Sequence, residues 1–285
     1  MSIAITGATG QLGQLVIQTL LKSQSPKNIV GLVRNLEKAQ NLKDQGIEVR
    51  LFDYDKPETL VPALKGVERL LLISSNNIGN RVPQHKQVVD AAKEAGVTFL
   101  AYTSLLFADK SKLSLADEHL QTENYIKQSG LDWSFLRNGW YIENYLGAVQ
   151  NVIQTGTLYG SAKDAKISGA SRQDFAEAAA KVLTTDGHNG KIYELAGSES
   201  FTLSDLAKAI SDVSGKEVKY QDIPPADYTA ALLSHGLPEG LVKVIVEADE
   251  YAIDGALYDD SKTLEKLIGH PSTPLKEAVE QAINA

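Results

Sequence analysis

The chain has 285 residues, 43% of them hydrophobic, enough for one large or two unequal globular domains. Its net charge of −8 speaks against a nucleic-acid or anionic-membrane partner, and the absence of cysteine excludes disulfides, thiolate metal sites and cysteine nucleophiles. The five histidines are scattered, with no HExxH pair, so no metal site is expected. Ile3-Ala4-Ile5 opens the chain as a strand and runs directly into Thr6-Gly7-Ala8-Thr9-Gly10-Gln11-Leu12-Gly13. Leu12, Leu15, Val16 and Leu20 then recur at helical spacing. A strand, a glycine turn and a helix in this order make the first βα turn of a dinucleotide-binding fold. Gly7 permits the turn, Gly10 lets backbone approach a pyrophosphate, and Gly13 lets the helix pack on the strand. The helix start adds free N–H groups and the positive end of its dipole.

Further strands are predicted at 29–33, 48–52, 69–73, 99–102 and 133–136, alternating with helices at 11–21, 36–43, 57–64, 83–95 and 115–128. Gly46, Gly66, Gly96 and Gly130 fall just past helical stretches, where a left-handed residue ends a helix. This alternation implies a doubly wound parallel α/β sheet of the Rossmann type over residues 1–137. Beyond it, helices are expected at 143–154, 172–183, 203–213, 226–233, 241–251 and 275–283, with a strand at 191–195. Residues 138–285 therefore read as a smaller, mostly helical substrate domain, partly interleaved with the sheet. No segment before the first strand resembles a signal peptide and no apolar run has transmembrane length, so a cytoplasmic protein is expected.

The second strand ends Leu32-Val33-Arg34-Asn35, with no acid until Glu37. An Asp or Glu here would bond a ribose 2′-hydroxyl, whereas an arginine accommodates a 2′-phosphate, so Arg34, with Asn35 and Lys38 nearby, predicts NADP(H). Asp53, ending the third strand, is placed either for an adenine edge or to cap its own loop. Ser74, Ser75 and Asn76 follow the fourth strand, where strand ends line the cofactor crevice. The fifth strand ends Ala101-Tyr102-Thr103-Ser104, and the next helix carries Asp117, Glu118, His119 and Glu123, the last two one turn apart. His119 is a candidate proton donor or a partner for Glu123. After the sixth strand, Asn138, Gly139, Trp140, Tyr141, Ile142 and Glu143 offer close backbone approach and two flat aromatic faces suited to a planar acceptor. Arg172, opening a later helix, is a further candidate for the cofactor.

Taken together, TGATGQLG, LVRN, LLLIS, AYTS, the His119/Glu123 helix and LRNGWYxENY resemble the NmrA-like atypical short-chain dehydrogenase/reductases over nearly the whole chain. Within that group the chain is most similar to the bacterial type 2 NAD(P)H:quinone oxidoreductases, with triphenylmethane dye reductases next. The resemblance implies NADP(H) held by residues 7–13 (Gly7, Ala8, Thr9, Gly10, Gln11, Leu12, Gly13), by Arg34, Ser74, Ser75 and Asn76, by residues 138–143 and by Arg172. It implies catalysis around Tyr102, Ser104 and His119, a small planar acceptor such as a quinone, and a monomer or homodimer. The Tyr-x-x-x-Lys pair of ordinary short-chain reductases is missing, since Tyr125 is followed at that spacing by Ser129. Two function classes stay open: a quinone reductase needing little acid–base help, and a non-catalytic NADP sensor.

Overall fold

The computed structural model describes residues 1–284. Its strands are β1 (Ile3–Ile5), β2 (Ile29–Val33), β3 (Glu48–Leu51), β4 (Arg69–Leu72), β5 (Phe99–Leu105), β6 (Asp132–Asn138), β7 (Thr157–Gly160), β8 (Lys191–Leu195) and β9 (Lys219–Asp222). Seven of them form one sheet in the order β3-β2-β1-β4-β5-β6-β8, and the pairings from β3 to β6 are all parallel. This is the doubly wound Rossmann order. The chain reverses direction across the sheet between β1 and β4, and ligands of such folds bind outside the carboxyl ends of the strands at that point.

The helices of the first half are α1 (Gln11–Leu21), α2 (Gln40–Asp44), α3 (Leu60–Leu64), α4 (Arg81–Ala95) and α5 (Leu115–Gln128). Those expected at 36–43 and 57–64 begin as 3-10 turns, Glu37–Ala39 and Pro57–Thr59, before becoming α-helical. β1 and β2 are buried along their whole length, as strands covered on both faces must be. Val30, Leu32, Leu70, Leu72, Leu100, Tyr102 and Phe135 join Leu60, Leu64, Val88, Ala92 and Ile126 in one core. Gly46, Gly66, Gly96 and Gly130 all adopt left-handed φ between 75° and 85°, so the helix stops read from the sequence have their backbone cause.

The remaining helices are α6 (Glu143–Leu146), α7 (Val149–Thr155), α8 (Arg172–Thr184), α9 (Leu203–Ser214), α10 (Pro225–Ser234), α11 (Glu239–Ala252), α12 (Thr263–Ile268) and α13 (Leu275–Asn284). The single helix expected at 143–154 is two, α6 and α7, separated by Gly147 and Ala148. Glycine is a poor helix former and the break falls there. The short strands β7 and β9, which pair in parallel, and the six-residue α12 have no counterpart in the sequence reading. Four strand residues are too few to show an alternation.

The chain divides into two compact units. One comprises Met1–Asp109, Asp117–Asn138 and Phe175–Tyr193; the other comprises Lys110–Ala116, Gly139–Asp174 and Glu194–Ala285. Among the described residues, no helix is long and apolar enough to cross a membrane.

Candidate functional site

In the first unit the turn after β1 is built on its glycines. Gly7 has φ +58°, and the Gly10 N–H donates to the Gly7 carbonyl at 2.8 Å. A Cβ on Gly13 would stand 2.3 Å from the Gly7 oxygen, which no residue other than glycine can accept. No side chain caps the start of α1 at Gly10, so the first-turn N–H groups are open to an anion. Thr6 ties this turn to the end of β4. Its Oγ1 accepts the Ile73 N–H at 2.9 Å, and the Ser74 N–H donates to Thr103 Oγ1 on β5 at 2.9 Å. The loops after β1 and β4 thus flank the reversal point of the sheet.

Arg34, just past β2, is exposed and forms no hydrogen bond or ion pair among the described residues. Asn35 Oδ1 accepts the Glu37 N–H at 2.8 Å, which shapes the loop around that free guanidinium. Asp53 does the same for its own loop: its N–H donates to Thr59 Oγ1 at 3.1 Å and its Oδ1 accepts the Asp55 N–H at 3.2 Å.

Tyr102, Ser104 and His119 are all buried, Tyr102 completely. The Tyr102 hydroxyl lies 2.8 Å from His119 Nδ1. Burial, then the positive charge of Arg81, holds the His119 imidazole well below the usual histidine pKa. Burial likewise lifts the Tyr102 phenol above its ordinary range. Both groups are therefore neutral near pH 7. The expected His119–Glu123 pair does not form. Glu123 is instead gripped by Arg137, with Nε to Oε1 at 2.9 Å and Nη2 to Oε2 at 2.7 Å. Ser104 Oγ donates to the same Oε1 at 2.7 Å, and Asp109 completes the cluster on Arg137 Nη1. Two side chains one turn apart share a helix face, but the stronger partner of the carboxylate is the guanidinium arriving on β6.

A second buried network was not foreseen. Ser75 donates its N–H to His85 Nε2 at 2.9 Å, and His85 Nδ1 lies 3.0 Å from Thr122 Oγ1. Arg81 Nε donates to the Ser75 carbonyl at 2.7 Å, and Arg81 Nη1 reaches Glu118 Oε2 at 3.3 Å. Burial and the Arg81 charge push the His85 pKa down to about 3. The one sequence signal for these networks is Arg137 itself: a charged residue inside a buried strand requires a carboxylate nearby.

In the second unit, Gly139 N–H donates to the Leu195 carbonyl at 2.7 Å, and residues 140–142 pair with Ala170 through the Trp140 carbonyl and the Ile142 N–H, each at 3.1 Å. Arg172 lies 4.5 Å over the Tyr141 ring and 3.4 Å from Glu143 Oε2, and its Nη2 donates to Asn144 Oδ1 at 3.1 Å. The structure thus brings Tyr141, Glu143 and Arg172 together. Trp140 is buried against Tyr145, with centroids 6.0 Å apart, and its indole Nε1 has no partner among the described residues. Tyr145 donates to the fully buried Asp249 at 2.7 Å, and Ser161 N–H donates to the same carboxylate at 2.9 Å. Burial raises the Asp249 pKa to about 6 against the pull of these two bonds.

The NmrA-like family profile matches residues 1–282. Quinone oxidoreductase 2 of Escherichia coli (strain K12) is 53% identical over 282 residues, covering 99% of both chains. The crystal structure of the NADPH-dependent quinone oxidoreductase QOR2 of Escherichia coli, complexed with NADPH, superposes with a TM-score of 0.94 at 53% identity, covering 99% of this chain and 100% of that one. Citrobacter sp. triphenylmethane reductase superposes with a TM-score of 0.95 at 40% identity, with both chains covered in full at 100%.

Proposed function

The chain belongs to the NmrA-like family, and on that premise we propose that it is an NADPH-dependent quinone oxidoreductase. The observation that carries this reading is its full-length likeness to an Escherichia coli enzyme of that description. The residues fit the cofactor. The glycine turn packs so closely that a Cβ at position 13 would collide with the Gly7 carbonyl, which brings α1 tight against the turn; α1 starts uncapped, and Arg34 has no partner among the described residues. The turn and the α1 N-terminus take the pyrophosphate, and Arg34 takes the 2′-phosphate. Ser74 and Asn76 face the same ligand from the loop after β4.

Bound NADPH supplies the hydride, and the quinone that accepts it becomes a phenolate-type anion needing one proton. His119 and Tyr102, buried and neutral, support the site from behind, and solvent delivers that proton. Holding an acceptor in line is worth roughly 7–11 kcal/mol, enough for an already electrophilic quinone. In the second unit, Trp140 and Tyr141 offer flat faces for the acceptor, and Arg172 keeps Tyr141 in place by lying over its ring. The enzyme acts in the cytoplasm, as a monomer or homodimer.

Steady-state NADPH oxidation with a panel of small quinones tests this. Turnover is expected with NADPH at a lower KM than with NADH. A hydrogen bond to a charged group contributes about 1.5–3 kcal/mol, so Arg34→Ala should weaken NADPH roughly tenfold to a hundredfold and leave NADH nearly unchanged. NADPH binding with no turnover of any quinone would support a sensor instead.

A further inference from the structure

The loop after β4 carries an internal asymmetry. Every polar atom of Ser75 is engaged: N–H on His85, carbonyl on Arg81 Nε, and Oγ donating to Gln84 Oε1 at 2.6 Å while accepting the Asn77 N–H at 3.1 Å. Farther along the loop, Glu118 Oε1 accepts the Gly79 N–H at 2.9 Å. The residues on either side of Ser75 are the opposite. The Ser74 hydroxyl and the Asn76 carboxamide have no partner among the described residues, and Asn76 is exposed. Ser75 is fixed from α4, whereas its two neighbours are held only through their backbone, the Ser74 N–H donating to Thr103 Oγ1 and the Asn76 carbonyl accepting the Ile78 N–H, and their side chains are left open.

The hydrogen bonds also settle the state of His85. An amide N–H can only donate, so Nε2 must be unprotonated, and Nδ1 carries the proton toward Thr122 Oγ1. Thr122 in turn donates to the Glu118 carbonyl at 2.9 Å. The chain of donors therefore runs one way, from the Ser75 amide through the imidazole and the threonine to α5. The ring is fully buried, and both burial and Arg81 hold it neutral, which keeps Nε2 available as an acceptor.

We propose that His85 is a positioning residue for the cofactor, whose neutral imidazole, backed by Thr122, fixes Ser75 so that Ser74 and Asn76 meet NADPH. This rests on the NADPH reading above, and NADPH binding is followed directly, so absence of quinone turnover leaves the test intact. His85→Leu removes the acceptor; His85→Gln keeps an amide oxygen for Ser75 and an N–H for Thr122. Losing one such bond should raise the NADPH Kd about tenfold in His85→Leu, by more than kcat falls at saturating NADPH. Amide exchange at Ser75 should accelerate by a similar factor, and His85→Gln should return both to near the wild-type values. If His85→Leu does not fold, the nearly isosteric Thr122→Val, which deletes the second link, should raise the Kd several-fold. Faster Ser75 exchange with an unchanged NADPH Kd, or equal losses in the Leu and Gln variants, would overturn the proposal.

Discussion

Each compact unit contains a carboxylate with no exposure to solvent, and the two are held in opposite ways. Glu123, in the sheet unit, is clasped by both arms of Arg137 and by the Ser104 hydroxyl. Asp249, in the second unit, has among the described residues only the Tyr145 hydroxyl and the Ser161 amide, with no cation. A guanidinium fork compensates a buried charge, whereas a hydroxyl and one amide do so only partly. Asp249 therefore titrates near pH 6, and the phenols of Tyr145, Tyr220 and Tyr228, raised chiefly by burial and also by this carboxylate, share its surroundings with Asp222. The sheet unit also buries bases that stay neutral, His85 and His119. The titrating group belongs to the second unit, where Tyr145 links it to Trp140.

The largest effect should come from breaking the compensated pair. Arg137→Met leaves Glu123 buried with a single hydroxyl, and loss of one partner of a buried pair costs about 3–5 kcal/mol. Urea unfolding measures it; a loss under about 1 kcal/mol would mean that Glu123 is compensated by something other than Arg137.

Next is the pH dependence. The native Asp249 pKa of about 6 lies above the ordinary 3.8, so between those values the folded state binds more protons than the unfolded one, and this group lowers stability as pH rises. Over that window its contribution is about 3 kcal/mol. His85 has the opposite sign: with its native value near 3, below the ordinary 6.5, it lowers stability as pH falls. Thermal melts of Asp249→Asn against wild type should show the variant gaining relative stability as pH rises from about 4 to 6. A pH-independent difference would contradict the uncompensated state of Asp249. The smallest change is Tyr145→Phe. It removes one donor, worth about 1 kcal/mol, and should move the Asp249 transition to higher pH in the same melts.

The two units were also unequally legible in the sequence. The strand–helix alternation, the glycine turn and the helix-ending glycines at 46, 66, 96 and 130 each leave a local signature, and the doubly wound sheet follows from them. Arg34 was readable as an arginine at a strand end with no acid beside it, and it is exposed and unpaired among the described residues. His85, Arg81 and Asp249 were not readable. Their meaning comes from partners far along the chain: Thr122 for His85, Glu118 for Arg81, and Tyr145 and Ser161 for Asp249. Glu123 shows the hazard of local spacing, since its neighbour one turn back was a plausible partner and Arg137 took the place. β7, β9 and α12 were missed because four to six residues carry no readable period.

On the proposed reading, hydride transfer to a quinone proceeds with no side-chain acid, since His119 is buried and neutral. Comparing His119→Gln with wild type in NADPH-dependent quinone reduction, with NADPH affinity measured in parallel, tests it most directly. Loss of a true general acid costs 10²–10⁴-fold in rate. A fall in kcat of less than about tenfold, from weakened support of Tyr102, is the expected result. A loss near a thousandfold with NADPH affinity intact would make His119 the proton donor and rule out transfer without a side-chain acid.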